Sequence, residues 1–224
     1  MRNEEKRLTE QESLNLISSM LAQAKDSYRD TGTSAILWGC VISIASLVKV
    51  AEIHFDFRLP VDIYWLTLVA VIPQIYITLR EKKNRRAKTY DEKYMDYIWL
   101  AFGICIFLLS MIINGVFRVW EPVAIDYRIL TGDQSPFRFS EFVAPLFLLL
   151  YGLPTFITGA ACKFRPMLIG GIICWVFCVV TIYTNLEIDL LLTALAAIIA
   201  WLIPGIIMNR QNRHAIRELA KNNV

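Results

Sequence analysis

Charge in this chain is confined to a few short segments, and the stretches between them are long, apolar and nearly free of it. Six such stretches stand out, at residues 34–53, 61–79, 97–117, 142–161, 167–183 and 190–208. Each is close to the ~20 residues that a helix needs to cross the hydrocarbon core of a bilayer. Backbone N–H and C=O groups in lipid have no water to bond, so each stretch is expected to be helical. Composition agrees, with 56% hydrophobic residues, 19% charged residues and a mean hydropathy of +0.46. The expected fold is therefore all-α. It is a polytopic membrane protein of six transmembrane helices, arranged as three antiparallel hairpins, with an amphipathic helix before them.

Lysine and arginine set the orientation. The segment before the first span, the connection between spans two and three, the turn between spans four and five, and the C-terminal tail together hold 18 of them; the opposite side holds five. Basic residues stay on the cytoplasmic side of a membrane. The split therefore predicts a multi-pass protein of the cytoplasmic (inner) membrane, with both termini in the cytoplasm. The same alternation divides the chain into a cytoplasmic segment at 1–33, a membrane domain at 34–208 and a basic tail at 209–224. Trp38, Tyr64, Trp65, Tyr97, Trp99, Trp120 and Tyr183 lie toward span ends, where amphipathic rings are favoured.

Within 1–33, Thr9 and Glu12 have the spacing of a capping box. Leu14, Ile17, Leu21, Ala24 and Tyr28 then recur at helical spacing opposite Asn15, Ser18, Ser19, Gln23, Lys25 and Asp26. This pattern predicts a helix lying on the inner membrane surface or against the bundle. Thr31, Gly32 and Thr33 end it before the first span.

Each even-numbered span has a proline in its inner half (Pro73, Pro154, Pro204) and each odd one has glycine (Gly39, Gly103, Gly170 and Gly171). A proline removes a backbone bond and bends its helix. Repeated hairpins of this kind occur in transporters. If the bends line a cavity, Gln74, Thr155 and Thr158 are its candidate polar lining. Small residues at helical spacing (Gly152 with Gly159, Gly171 with Cys174 and Cys178, Ala196 with Ala200) allow close helix approach. The short turn 185–189 makes spans five and six antiparallel neighbours.

Ionisable groups near the membrane are few. Lys49 and Glu52 are three apart and can pair on one helix face. With Asp62, Glu187 and Asp189 they form a candidate charge cluster at the outer ends of spans one, two and six. No acid or base lies at the middle of a span, which argues against a proton-coupled pump. The connection 118–141, bracketed by Pro122 and Pro136, reads as the longest outer loop and the best place for an outside ligand or a lid.

Chemistry-bearing motifs are absent. The two histidines, His54 and His214, lie at span ends, so no serine–histidine pair faces itself inside the bundle, and there is no His-Glu-x-x-His zinc motif. Five cysteines within or at the edge of apolar spans suggest neither a disulfide framework nor a metal site. No catalytic, cofactor-binding or metal-ligating residue is assigned, and the chain is not expected to be an enzyme. Its partner is the lipid bilayer, joined by a possible protein partner through the N-terminal helix or the basic connection 80–93; nucleic acid is not expected. Two functions remain: a non-enzymatic accessory or regulatory membrane component, or a small-solute transporter or channel built from repeated hairpins.

Overall fold

The computed structural model describes residues 31–84, 90–132 and 139–222. The described residues are helical apart from turns and short irregular connections such as 57–59, with no strand among them. In chain order the elements are α1 (Thr33–His54), α2 (Trp65–Asn84), α3 (Tyr90–Thr131), a 3₁₀ turn (Phe139–Phe142), α4 (Val143–Ala161), α5 (Arg165–Val180), α6 (Leu186–Ala197), a π turn (Ile198–Leu202) and α7 (Ile203–Asn222). Four segments are long and apolar enough to cross a membrane: Thr33–His54, Tyr94–Thr131, Phe139–Ala161 and Leu186–His214. The chain is thus a membrane protein of several spanning helices. The N-terminal amphipathic helix expected within 1–33 lies outside the described residues, except for the Thr31–Thr33 break. There Gly32 adopts a φ of +69°, a left-handed conformation that glycine takes without steric cost, and α1 starts at the next residue.

Glycine decides which helices form the core. α4 packs closely on α5, and α1 packs on α6 and the π turn. A Cβ at Gly159 would sit 2.3 Å from the Leu168 backbone nitrogen, and one at Gly171 would sit 2.7 Å from that of Phe156. Backbone therefore meets backbone along the α4–α5 crossing, as the small residues of the sequence imply. Between these helices Cys178 donates to the Pro145 carbonyl at 3.3 Å, and Cys174 is buried in the central cluster. That cluster also holds Ile42, Leu148, Tyr151, Ala196, Ala197, Ala200 and Trp201.

The π turn has a local cause. Pro204 lacks an N–H, and its ring crowds the carbonyl four residues back, at Ala200. The helix widens over Ile198–Leu202 rather than breaking. Two glycines accept the wider turn: Cβ atoms at Gly39 of α1 and Gly170 of α5 would meet the backbone of Leu202 and Ala200 at 2.7 and 2.6 Å.

α2 and α3 stand at the periphery, α2 chiefly on α1 and α3 chiefly on α4. Only 6% of the apolar window of α3 is buried. The three hairpins are consequently not packed alike. Pro73 of α2 is exposed, whereas Pro154 and Pro204 are fully buried.

Two sequence boundaries move. Residues 61–64, expected at the start of the second span, form a turn in which Asp62 accepts from the backbone of Tyr64 and Trp65. Asp62 captures these N–H groups locally, which delays the helix. The larger correction concerns the expected loop 118–141. Its first half continues α3 to Thr131, with Pro122 inside the helix. A proline frees only one carbonyl, and at an exposed helix end water can take that bond, so helical spacing of Val119, Val123 and Leu130 prevails. At ~1.5 Å per residue, the 42 residues of α3 span roughly 63 Å, about twice the hydrocarbon core.

Candidate functional site

The three candidate lining residues are each tied to a tryptophan. Trp38 of α1 donates its indole N–H to Gln74 Oε1 of α2 at 3.1 Å. Trp99 of α3 donates to Thr158 Oγ1 of α4 at 3.2 Å. Trp201 of the π turn donates to Thr155 Oγ1 of α4 at 2.8 Å. An indole N–H held in an apolar interior needs an acceptor, and these side chains supply it. The acceptors are themselves anchored. Thr155 donates back to the Tyr151 carbonyl at 2.7 Å, and the Gln74 amide nitrogen donates to Ser34 and Thr78 at 3.1 and 3.2 Å. Thr155 and Thr158 are 0% and 2% exposed, so neither side chain opens onto solvent.

Two of the tryptophans, Trp99 and Trp201, make one aromatic group with their neighbours. Phe102 lies edge-on to Trp99, Tyr151 and Trp201, and Tyr151 lies 4.7 Å from Trp201 between ring centroids. Side chains of α1 and α3 expected to mark the membrane interface, Trp38 and Trp99, thus turn inward to brace neighbouring helices. Trp65, by contrast, is exposed.

The five outer charges divide into two groups. Lys49 Nζ lies 2.9 Å from Glu52 Oε2 and 3.9 Å from Asp62 Oδ2. Glu52 also accepts from the Leu59 backbone N–H at 2.9 Å, which folds the segment after α1 back over the helix end. No ion pair joins Lys49 to Glu187 or Asp189. Asp189 instead lies fully buried at the start of α6. One of its carboxylate oxygens accepts from Thr184 at 2.5 Å, the other has no hydrogen-bond partner among the described residues, and Glu141 of the 3₁₀ turn exerts a like-charge influence on it. Its burial has no sequence signal, because it depends on how the bundle packs around the start of α6, which the 3₁₀ turn touches.

The clasp around Glu52 has a measurable consequence. Glu52→Ala is expected to accelerate amide exchange at Leu59 and lower Tm. Lys49→Ala is expected to shift Tm less, because Lys49 is 32% exposed and its pair is screened. Equal shifts for the two variants would mean that the backbone bond to Leu59 adds nothing.

Among the described residues no three His, Cys, Asp or Glu side chains gather as a metal site. His54 makes an edge contact with Phe55. The three indole bonds each join neighbouring elements of the bundle. Comparison with protein-family models, curated proteins and solved structures finds no match for this chain.

Proposed function

We propose that this chain is a non-enzymatic accessory or regulatory component of the cytoplasmic membrane, crossing it six times with both ends in the cytoplasm. The observation that supports this reading is the consumption of Gln74, Thr155 and Thr158 by indole donors. A solute path needs polar groups free to replace hydration, and these three are spent on holding α1 to α2, α3 to α4, and α4 to the π turn. For the span count, α2 and α5 join the four long segments. α5 is 16 residues, about 24 Å, and needs its flanking turns to complete a crossing. The alternating Lys and Arg distribution supports the orientation. Partner contact is assigned to the N-terminal segment and the connection 80–93. There α2 runs on to Asn84 and α3 begins at Tyr90, while 85–89 lie outside the described residues.

Solute transport is the second reading. It draws on the π turn above Pro204, an interruption of helical bonding of the kind found near functional sites. Co-purification of the full chain from its native membrane in mild detergent separates the two. A stoichiometric partner, lost when residues 1–30 are deleted, is the expected result. A partnerless species that moves solute across liposomes would replace the accessory reading with the transport one. Gln74→Leu offers a second check: it should loosen α1 against α2 without altering any flux.

A further inference from the structure

The far end of α7 carries a separation of charge that the bundle does not use. Up to Asn209 the helix is held. Gly205 abuts Gly32 and Ile36, and the Asn209 side chain donates to the Thr31 carbonyl at 2.9 Å. α7 then continues to Asn222. By helical register Arg210, Arg213, His214, Arg217 and Lys221 share one face, at i, i+3, i+4, i+7 and i+11. Ala215, Ile216 and Leu219 fall at positions on the opposite one, whereas Met208, one turn earlier, packs against Gly32. Arg210, Arg213, His214 and Arg217 are exposed, and among the described residues no ion pair involves them.

Two other elements present the same chemistry beside the inner boundaries of the spans. Arg80 and Lys83 on α2, and Lys163 and Arg165 at the α4–α5 turn, are likewise exposed and without an ion pair among the described residues. Among the described residues both ion pairs are made by Lys49, at the other end of the bundle. Unpaired cations thus come from three separate elements at the end that the Lys and Arg count places in the cytoplasm.

We propose that α7 beyond Asn209 is an interfacial helix seated on anionic lipid headgroups. The charge complements a phosphate-bearing surface, and arginines are long enough to reach back to phosphates while their stems lie along apolar surface. The apolar sequence positions 215, 216 and 219 favour a lipid surface over an acidic protein. A helix with basic and apolar faces settles with its apolar side in the headgroup–acyl boundary. The spread of the cations over three elements also fits an extended surface better than a single docking groove. The segment 210–222 is distinct from the proposed partner contacts, which share only Arg80 and Lys83 of the connection 80–93 with this surface, and the inference stands whether or not a partner protein is found.

The test uses the full chain in vesicles of phosphatidylcholine alone or with phosphatidylglycerol, reading amide hydrogen exchange over residues 210–222 by mass spectrometry. Phosphatidylglycerol is expected to slow that exchange, by roughly fivefold for each basic side chain engaged. High salt should abolish the slowing, because the charges lie at the surface. The triple variant Arg210→Gln, Arg213→Gln, Arg217→Gln should lose it while exchange in α4 and α5 stays unchanged, which shows that the fold is intact. Equal exchange in the two vesicle types, or protection that survives in the triple variant, would overturn the proposal. So would slowing by added polyglutamate in phosphatidylcholine vesicles that matches or exceeds the effect of phosphatidylglycerol, since that result would mark an acidic protein as the fitting partner.

Discussion

Gly159→Ala is expected to destabilise the bundle more than any other single methyl group added to it. The new Cβ would lie 2.3 Å from the Leu168 backbone nitrogen and 2.6 Å from its Cα. Backbone on α5 cannot rotate away as a flexible side chain can, so α4 and α5 must separate along their whole crossing. Overpacking a tight core costs about 1–3 kcal/mol, and this contact involves backbone on both sides, so the upper end of that range is expected. Gly103→Ala is the matched control. It has nothing within 4 Å, so the same methyl group meets no protein. Alanine favours helix over glycine by up to ~1 kcal/mol, and this variant should be neutral or slightly stabilised. Denaturation of both proteins in detergent micelles measures the difference. Equal Tm values would mean that the α4–α5 crossing is not the close contact described here.

The second large effect is expected at the π turn. Trp201 is 3% exposed and touches Phe102 and Tyr151 while donating to Thr155. Removing its ring leaves a cavity at the meeting point of α3, α4 and the π turn, and Trp→Ala changes in cores cost about 3–5 kcal/mol. Trp201→Phe keeps most of the ring contacts and loses only the indole bond. Polar bonds between membrane helices average ~0.6 kcal/mol, so the phenylalanine variant should be far milder than the alanine one. Thr155→Val should cost a similar small amount, and combining it with Trp201→Phe should add little, because the two variants delete the same bond. Full additivity would show that the indole–hydroxyl contact carries no energy of its own. Loss of the tryptophan near-ultraviolet signal on unfolding provides the readout for the variants that retain Trp201.

How much of this was visible beforehand depends on the kind of interaction. The break at Gly32 and the small residues of α4 to α6 were legible, because glycine and helical spacing act through local geometry. The polar residues Gln74, Thr155 and Thr158 were found as the unusual ones in apolar helices. Their role was not, since an acceptor for an indole N–H and the lining of a cavity have the same residue type at the same depth. The missing signal was the tryptophans themselves, which need acceptors wherever they are buried. Likewise Lys49 and Glu52 could be paired from their spacing of three. Asp189 could not be separated from them, because its burial is a product of tertiary packing at the start of α6. The continuation of α3 through Pro122 was hidden by the ordinary reading of proline as a boundary.

The sequence by itself determined that the chain is helical and belongs in a membrane. Hydrophobic run length and the need to satisfy backbone groups are properties of each segment alone, and no neighbour can change them. Tertiary structure decided which helices are central and which are peripheral. α1, α4, α5 and α6 with the π turn meet through glycine and alanine backbones, whereas α2 and α3 are as apolar but remain at the edge. In lipid, apolar character does not distinguish a helix neighbour from an acyl chain. What selects a neighbour is close fit and a matched hydrogen bond, and both exist only once two helices are placed side by side.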